Sequence, residues 1–280
     1  MVLCGLFVAA GLTAIARWGH LDVEVPPSDN EADEGPWWRE PARRYLWSVE
    51  VAVVAGVGAG VLAAGAGGRL AMRLLAATAG DAAQGRVTEA DEVVGRISAE
   101  GTISFIIFTA LFLGAPTGAL YLLVRRWLPR GRLGGVAYGG LLLVLASTRV
   151  EPLRAENPDF DIVGPGWVSV VAFTALVLVH GMLVAAVAGR FSRALPLFSR
   201  RRRAVLLHAP ILLLAPVAGL LVVVIVVGLI AVFAARYRPL VEALRSVEVV
   251  VAGRIVLASL ALVALPGFVS SMADILGRGP

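Results

Sequence analysis

Five stretches of this chain, 51–68, 101–124, 162–189, 204–235 and 255–273, contain no Asp, Glu, Lys or Arg and are made almost wholly of apolar and small residues. A helix advances 1.5 Å per residue, so about 20 apolar residues cross a ~30 Å hydrocarbon core. Lipid offers no water to backbone N–H and C=O groups, so runs of this kind must be helices that satisfy their own hydrogen bonds. Two shorter apolar runs, 1–16 and 133–148, would each reach roughly 24 Å as helices. The expected fold is therefore all-α: a polytopic transmembrane helix bundle of about seven spans. Residues 1–18 form a short first transmembrane helix, 19–45 an acidic linker and interfacial segment, and 46–280 a six-helix bundle.

Charge between the runs sets the expected orientation. Segment 125–132 carries Arg125, Arg126, Arg130 and Arg132 without an acid, and 190–203 carries Arg190, Arg193 and Arg200 to Arg203 without one. Loops rich in Arg stay cytoplasmic. These two share a side only if 133–148 crosses between them, which puts the acidic loop 149–165 outside. Alternating the loops gives 15 Arg inside and 10 outside, with the N-terminus out and the C-terminus in. Trp18, Trp37, Trp38, Trp47, Trp127 and Trp167 all fall at or just beyond the ends of expected spans, where an indole ring is half buried and half wet. Ala14-Ile15-Ala16 has the form of a signal-peptidase site, but nothing basic precedes it, and the first run is taken as a retained helix. The polar stretch 19–35, with Asp22, Glu24 and Pro26-Pro27, is expected to be a disordered linker. In 36–47, Trp and Tyr alternate with Arg39, Arg43 and Arg44, as in a segment lying on anionic lipid.

Composition removes several functions. Hydrophobic residues make up 58% of the chain and the mean hydropathy is +0.83. The net charge of +5 comes entirely from Arg, since there is no Lys, so Schiff-base and Walker-type lysine chemistry are excluded. The arginines cluster between apolar runs, which points to lipid contact and not to nucleic acid. Cys4 is the single cysteine, so neither an intramolecular disulfide nor a cysteine zinc site can form. No cofactor motif is present: Gly58-Ala-Gly60-Val-Leu-Ala63 matches a dinucleotide fingerprint as a string but lies inside an apolar run with no preceding strand.

Three groups of residues are candidates for function. Glu50, His180 and His208 are ionisable groups inside apolar runs, which are expensive there and often functional; brought together they would form a proton-sensitive cluster. Arg69 and Arg73, four residues apart on one helix face, together with Asp159 and Asp161, would make an outer-face network, either as salt bridges or as an anion or headgroup site. Asn157, Asp159 and Asp161 alternate as calcium ligands do, but Ile162 and Val168 stand where that loop needs Gly and Glu. Residues 87–94 are expected to open a short amphipathic helix capped by Thr88. The third group, Gly114, Pro116 and Gly118, marks a kink or a helix break of the kind transporters use for binding. Pro210 and Pro216 carry the same ambiguity in the sixth run. Small-residue spacings at Gly56/Gly60, Gly114/Gly118 and Gly135/Gly139 are expected to pack helices.

Gly68-Arg-Leu-Ala-Met-Arg73 and Asn157-Pro-Asp-Phe160 with Gly164-Pro165 resemble multi-pass membrane proteins of GC-rich bacteria, over roughly 65–190. The resemblance implies a bacterial plasma-membrane location and no particular activity. The expected function is a membrane-embedded accessory or scaffold subunit that contacts anionic lipid and a membrane protein partner. The alternatives are a small transporter or channel, and a membrane enzyme working at the extracytoplasmic face.

Overall fold

The computed structural model describes residues 1–27, 36–197 and 218–278. Among these the architecture is all-helical: α1 (Val2–Trp18), α2 (Arg39–Thr78), α3 (Ala99–Trp127), α4 (Arg132–Leu145), α5 (Gly166–Ala194), α6 (Ala218–Ala234), α7 (Arg238–Arg245) and α8 (Val247–Leu276). Four of them, α2, α3, α5 and α8, are long and apolar enough to cross a membrane. α1 and α4 are shorter apolar helices that pack beside them.

The bundle is built on close backbone contact. In lipid, apolar side chains gain nothing by leaving their surroundings, so helices associate through packing, which small residues permit. Gly56, Gly60, Gly114 and Gly118 do this between α2 and α3. A Cβ on Gly60 would meet Ala110 Cα at 2.5 Å; one on Gly56 would strike the Gly114 carbonyl, and one on Gly118 the Ala52 carbonyl. The two glycine spacings thus interlock. Gly135 and Gly139 of α4 pair with α5 in the same way: a Cβ on Gly139 would meet Leu178 Cα at 2.9 Å. α5 is the central element and touches α1, α2, α4 and α8. Its Leu183, Val184, Ala186 and Ala188 are fully buried beside Trp47, Val51 and Ala55 of α2.

Several expectations change. The segment 36–47 is not separate from the second span: α2 begins at Arg39, and Trp47 is 1% exposed, its indole N–H donating to the Leu195 carbonyl at 3.0 Å. The first part of the acidic linker is pinned and not disordered. Asp22 Oδ1 accepts from Gly131 N–H at 2.8 Å, Arg125 donates to the Val23 carbonyl at 2.9 Å, and Glu24 pairs with Arg193 at 2.5 Å. These acids lie where the arginines of 125–132 and 190–193 gather, and charge complementarity holds them there.

The two ends of the chain were expected on opposite sides, and they lie at the same end of the bundle. Met1 lines the cavity that Glu89 and Arg154 also line, and Arg278 pairs with Asp161 at 3.7 Å. The described part of the sixth run points opposite to the expected crossing. This part, α6, returns to the arginine-rich end: the Tyr45 hydroxyl donates to the Val224 carbonyl, while Trp37, further toward that end, packs against Phe233 at 5.9 Å. α8 then starts at the arginine-rich end, where Gly253 lies against the Trp127 ring, and finishes beside Leu153, whose carbonyl accepts from Ser271 at 2.9 Å. Arg254 therefore lies near the arginine-rich end of α8. Pro210, Pro216 and Arg200 to Arg203 lie outside the described residues.

Inserting a side chain at the α2–α3 contact should be costly. Gly56→Val is expected to lower stability by about 1–3 kcal/mol or more by overpacking. Gly140→Ala, where a Cβ meets nothing within 4 Å, should be neutral or slightly stabilising. Thermal unfolding of the two variants in one detergent checks this; equal losses would remove the interlocked glycines as the organising contact.

Candidate functional site

The walls of the site are helices with an irregularity at the same level. α2 passes through a π turn at Gly60–Gly65 and α3 through another at Thr109–Gly114, and the two turns lie against each other. A π turn is a one-residue widening of the helix that is common at functional sites. The one in α3 immediately precedes Pro116, whose missing N–H removes a rung of the ladder. Gly114, Pro116 and Gly118 therefore do not break α3. The helix continues, with Gly114 and Gly118 spent on contact with α2 and Pro116 facing a cavity.

That cavity has a volume of about 1020 Å³. Its walls come from the outer half of α2, α3, the end of α4 and the first half of α5, and loops 84–98 and 150–163 roof it. Along α3 it runs from Gly101 to Leu120, about 28 Å of helix. The wall is mostly apolar, with Phe105, Phe108, Phe112, Leu113, Leu176 and Val177. Phe108 is 56% and Phe112 49% exposed, so the cavity opens sideways along α3, toward the apolar surroundings of the bundle.

At its inner end lies a polar junction of three helices. The Thr117 hydroxyl donates to the Gly114 carbonyl at 2.8 Å, and His180 Nε2 stands 2.8 Å from the same oxygen. The bond between Thr117 Oγ1 and His180 Nε2 joins α3 to α5, with donor and acceptor set by the imidazole tautomer. The Tyr138 hydroxyl donates to the Thr117 carbonyl. These bonds tie α5 and α4 to α3 and satisfy polar groups that would be costly to bury alone. The cluster of Glu50 with His180 is not assembled: His180 is bonded to Thr117, which adjoins the Gly56–Gly118 contact, and Glu50 lies further along α2 toward the arginine-rich end. Glu50 itself is fully buried. His208 lies outside the described residues.

The mouth is charged. Residues 87–94 are not helical: Val87 and Val93 form a bridge around a tight turn, with the Thr88 hydroxyl accepting from Glu92 N–H at 3.2 Å and Asp91 at φ +58°. Asp159 anchors this turn, its Oδ1 accepting from Glu89 N–H at 2.8 Å. Arg154 pairs with Glu89 at 2.5 Å and Glu151 at 3.4 Å. Arg69 lies 3.8 Å from Glu92, donates to the Gly101 carbonyl and stacks over Phe105 at 4.8 Å. Arg73, one turn further out, is exposed and has no ion pair among the described residues. The four residues do not pair with one another: Arg69 and Arg73 share the cavity with Asp159 without pairing with it, and Asp161 pairs with Arg278. Asn157 Oδ1 caps Asp159 N–H at 2.8 Å, which leaves the three alternating oxygens engaged in different directions and not converging on an ion. Among the described residues no group of His, Cys, Asp and Glu is placed to hold a metal.

Sequence reasoning missed Thr117, Tyr138 and Arg154. The first two carried a signal, since a hydroxyl in an apolar run needs a partner. No family model matches the chain, and no curated protein and no solved structure matches it.

Burial pushes the Glu151 carboxyl above its ordinary value, Arg154 pulls it back, and Glu89 and Asp159 push it further up. Asp159 is also raised, by burial first and by Glu89, against its bond to Glu89 N–H and the charge of Arg154. An acid with a raised folded-state pKa takes up protons on folding, so its contribution is favourable below the ordinary carboxylate range and is lost as pH rises through the raised value. The stability of wild type relative to Glu151→Gln should therefore fall as pH rises from about 4. Thermal unfolding of both proteins across pH tests this; a difference that grows in favour of wild type would contradict it.

Proposed function

We propose that this chain is a multi-pass protein of a bacterial plasma membrane that holds a lipid in the cavity between α3 and α5, as a membrane-embedded accessory or scaffold subunit. The observation that carries this reading is the cavity itself: about 1020 Å³, apolar along its length, open sideways beside Phe108 and Phe112, and charged at one end. An amphipathic molecule matches each of these properties, and a small ion matches only the last. The exposed apolar faces of α6 and α8, with Val263 80% and Leu262 68% exposed, suit lipid or a membrane partner. Transport of the same lipid is the second reading, favoured by the facing π turns in the cavity wall.

The proposed topology has α1, α2, α3, α4, α5 and α8 crossing the bilayer, both termini outside, and the arginine-rich end in the cytoplasm. In its favour, the return of α6 adds Arg236, Arg238 and Arg254 to the end that already holds Arg125, Arg130 and Arg190.

Two measurements bear on this. In a Cys4→Ser background, cysteines introduced by Glu156→Cys and Gly277→Cys should both react with an impermeant reagent added to intact cells, and one introduced by Arg130→Cys should not. Labelling at 156 without 277 would defeat the shared side. Protein extracted mildly from its membrane should carry tightly retained lipid detectable by mass spectrometry. Leu113→Trp, which fills the cavity, should lose most of that lipid with its helical content intact. Wild type that retains none would sink the lipid reading.

A further inference from the structure

The charged mouth is not uniform, and its asymmetry specifies a headgroup. On one side Glu89, Glu151 and Asp159 surround a single cation, Arg154. On the other side Arg69, Arg73 and Arg96 line the same cavity with a single acid, Glu92. One half therefore carries an excess of negative charge and the other an excess of positive charge. The 88–92 turn joins them, with Glu89 on Arg154 and Glu92 beside Arg69. Neither excess is cancelled among the described residues. Arg73 has no ion pair there, and Arg69, with its side chain only 16% exposed, has Glu92 no nearer than 3.8 Å.

Resting on the lipid reading of the cavity, we infer that the mouth binds a zwitterionic phospholipid headgroup, with its ammonium among Glu89, Glu151 and Asp159 and its phosphate toward Arg69 and Arg73. A purely anionic headgroup would meet the Arg side and be repelled by three carboxylates. A purely cationic one would meet the reverse. A molecule carrying both charges a few atoms apart compensates both sides at once, and the ammonium supplies the counter-charge that the crowded acids lack. Arg69 is held for this task by its stacking on Phe105 and its bond to the Gly101 carbonyl, which leave it little freedom to lose on binding. The apolar wall starts at Phe105, directly beneath the guanidinium of Arg69, so headgroup and acyl chain are served by adjoining parts of one cavity.

The full chain is reconstituted in vesicles of equal phosphatidylethanolamine and phosphatidylglycerol, re-extracted, and its retained lipid quantified by mass spectrometry. Wild type should retain phosphatidylethanolamine over phosphatidylglycerol by about fivefold, equivalent to about 1 kcal/mol. Glu151→Gln and Asp159→Asn should each bring the ratio toward one while lipid is still retained. Arg73→Ala should lower retention of both lipids, and Glu156→Gln, an acid outside the cavity, should change neither. Equal retention by wild type would overturn the headgroup assignment and leave the lipid cavity standing, whereas retention of neither lipid would defeat the reading on which it rests. Displacement of retained lipid by millimolar glycerophosphoethanolamine would overturn it differently, by making a soluble zwitterion the ligand. Each variant is first shown to keep the helical content of wild type, and the conservative amide substitutions keep acceptors at 151 and 159 so that the turn is preserved.

Discussion

The contact on which the bundle depends is backbone against backbone, at Gly56 and Gly60 of α2 and Gly114 and Gly118 of α3. Lipid gives apolar side chains no reason to leave it, so a membrane bundle must find its cohesion in dispersion between closely packed atoms. Four glycines bring two helices nearer than any side chain allows. The same device joins α4 to α5 at Gly135, Gly139 and Gly181. These make two tight pairs, α2 with α3 and α4 with α5, and much of the remaining geometry follows from how the pairs meet.

They meet at Thr117, His180 and Tyr138. Below this junction the interior is closed by Trp47, Tyr121, Tyr138 and the small residues of α5. Above it α2 still packs on α5, with Gly67 against Leu176 and with Ala71 and Leu75 in one apolar cluster with Phe173, and the cavity lies where α3 stands apart from α5. Its roof is a short loop that closes only because Thr88 and Asp159 fold 88–92 into a turn. The site is thus not a motif on a scaffold. It is the volume left beside the α2–α5 contact, floored by the Thr117–His180 junction and roofed by charged loops.

That origin explains what the sequence could convey. Apolar runs and glycine spacings are local properties, so the helices and the α2–α3 and α4–α5 contacts were legible from Gly56, Gly118 and Gly139. Arg69 and Arg73 were legible as a pair from their four-residue spacing. The cavity was not, because it depends on which helix faces diverge, and no window of sequence holds that. The 87–94 segment misled because Thr88 can cap a helix or close a turn with the same hydroxyl, and Val87 pairing with Val93 decided the choice. The position of the C-terminus misled for a different reason. A run of 204–235 was counted as one crossing on length, whereas Tyr45 and Trp37 hold its described part on a return path. The direction of α6 sets that of every later element, so the C-terminus ends beside Asp161, where Arg278 pairs with it.

The distribution of polar bonds also fixes where the structure can yield. Interhelical hydrogen bonds in membranes are each worth only about 0.6–2 kcal/mol, but the junction holds two of them at one point, between the partly buried Thr117 and the buried His180 and Tyr138. The N-terminal half of α3 is less enclosed: between Ala99 and Phe108 none of its residues is buried, and its polar tie to α2 is Arg69, on the Gly101 carbonyl and over the Phe105 ring. The two π turns, Gly60–Gly65 and Thr109–Gly114, sit at the boundary between the pinned and the free halves. A π turn already departs from regular helix geometry, so a change of direction there disrupts fewer ideal bonds than elsewhere. Ile103 and Phe108, both exposed, lie on the less enclosed side of these turns, and Thr117 and His180 lie on the other.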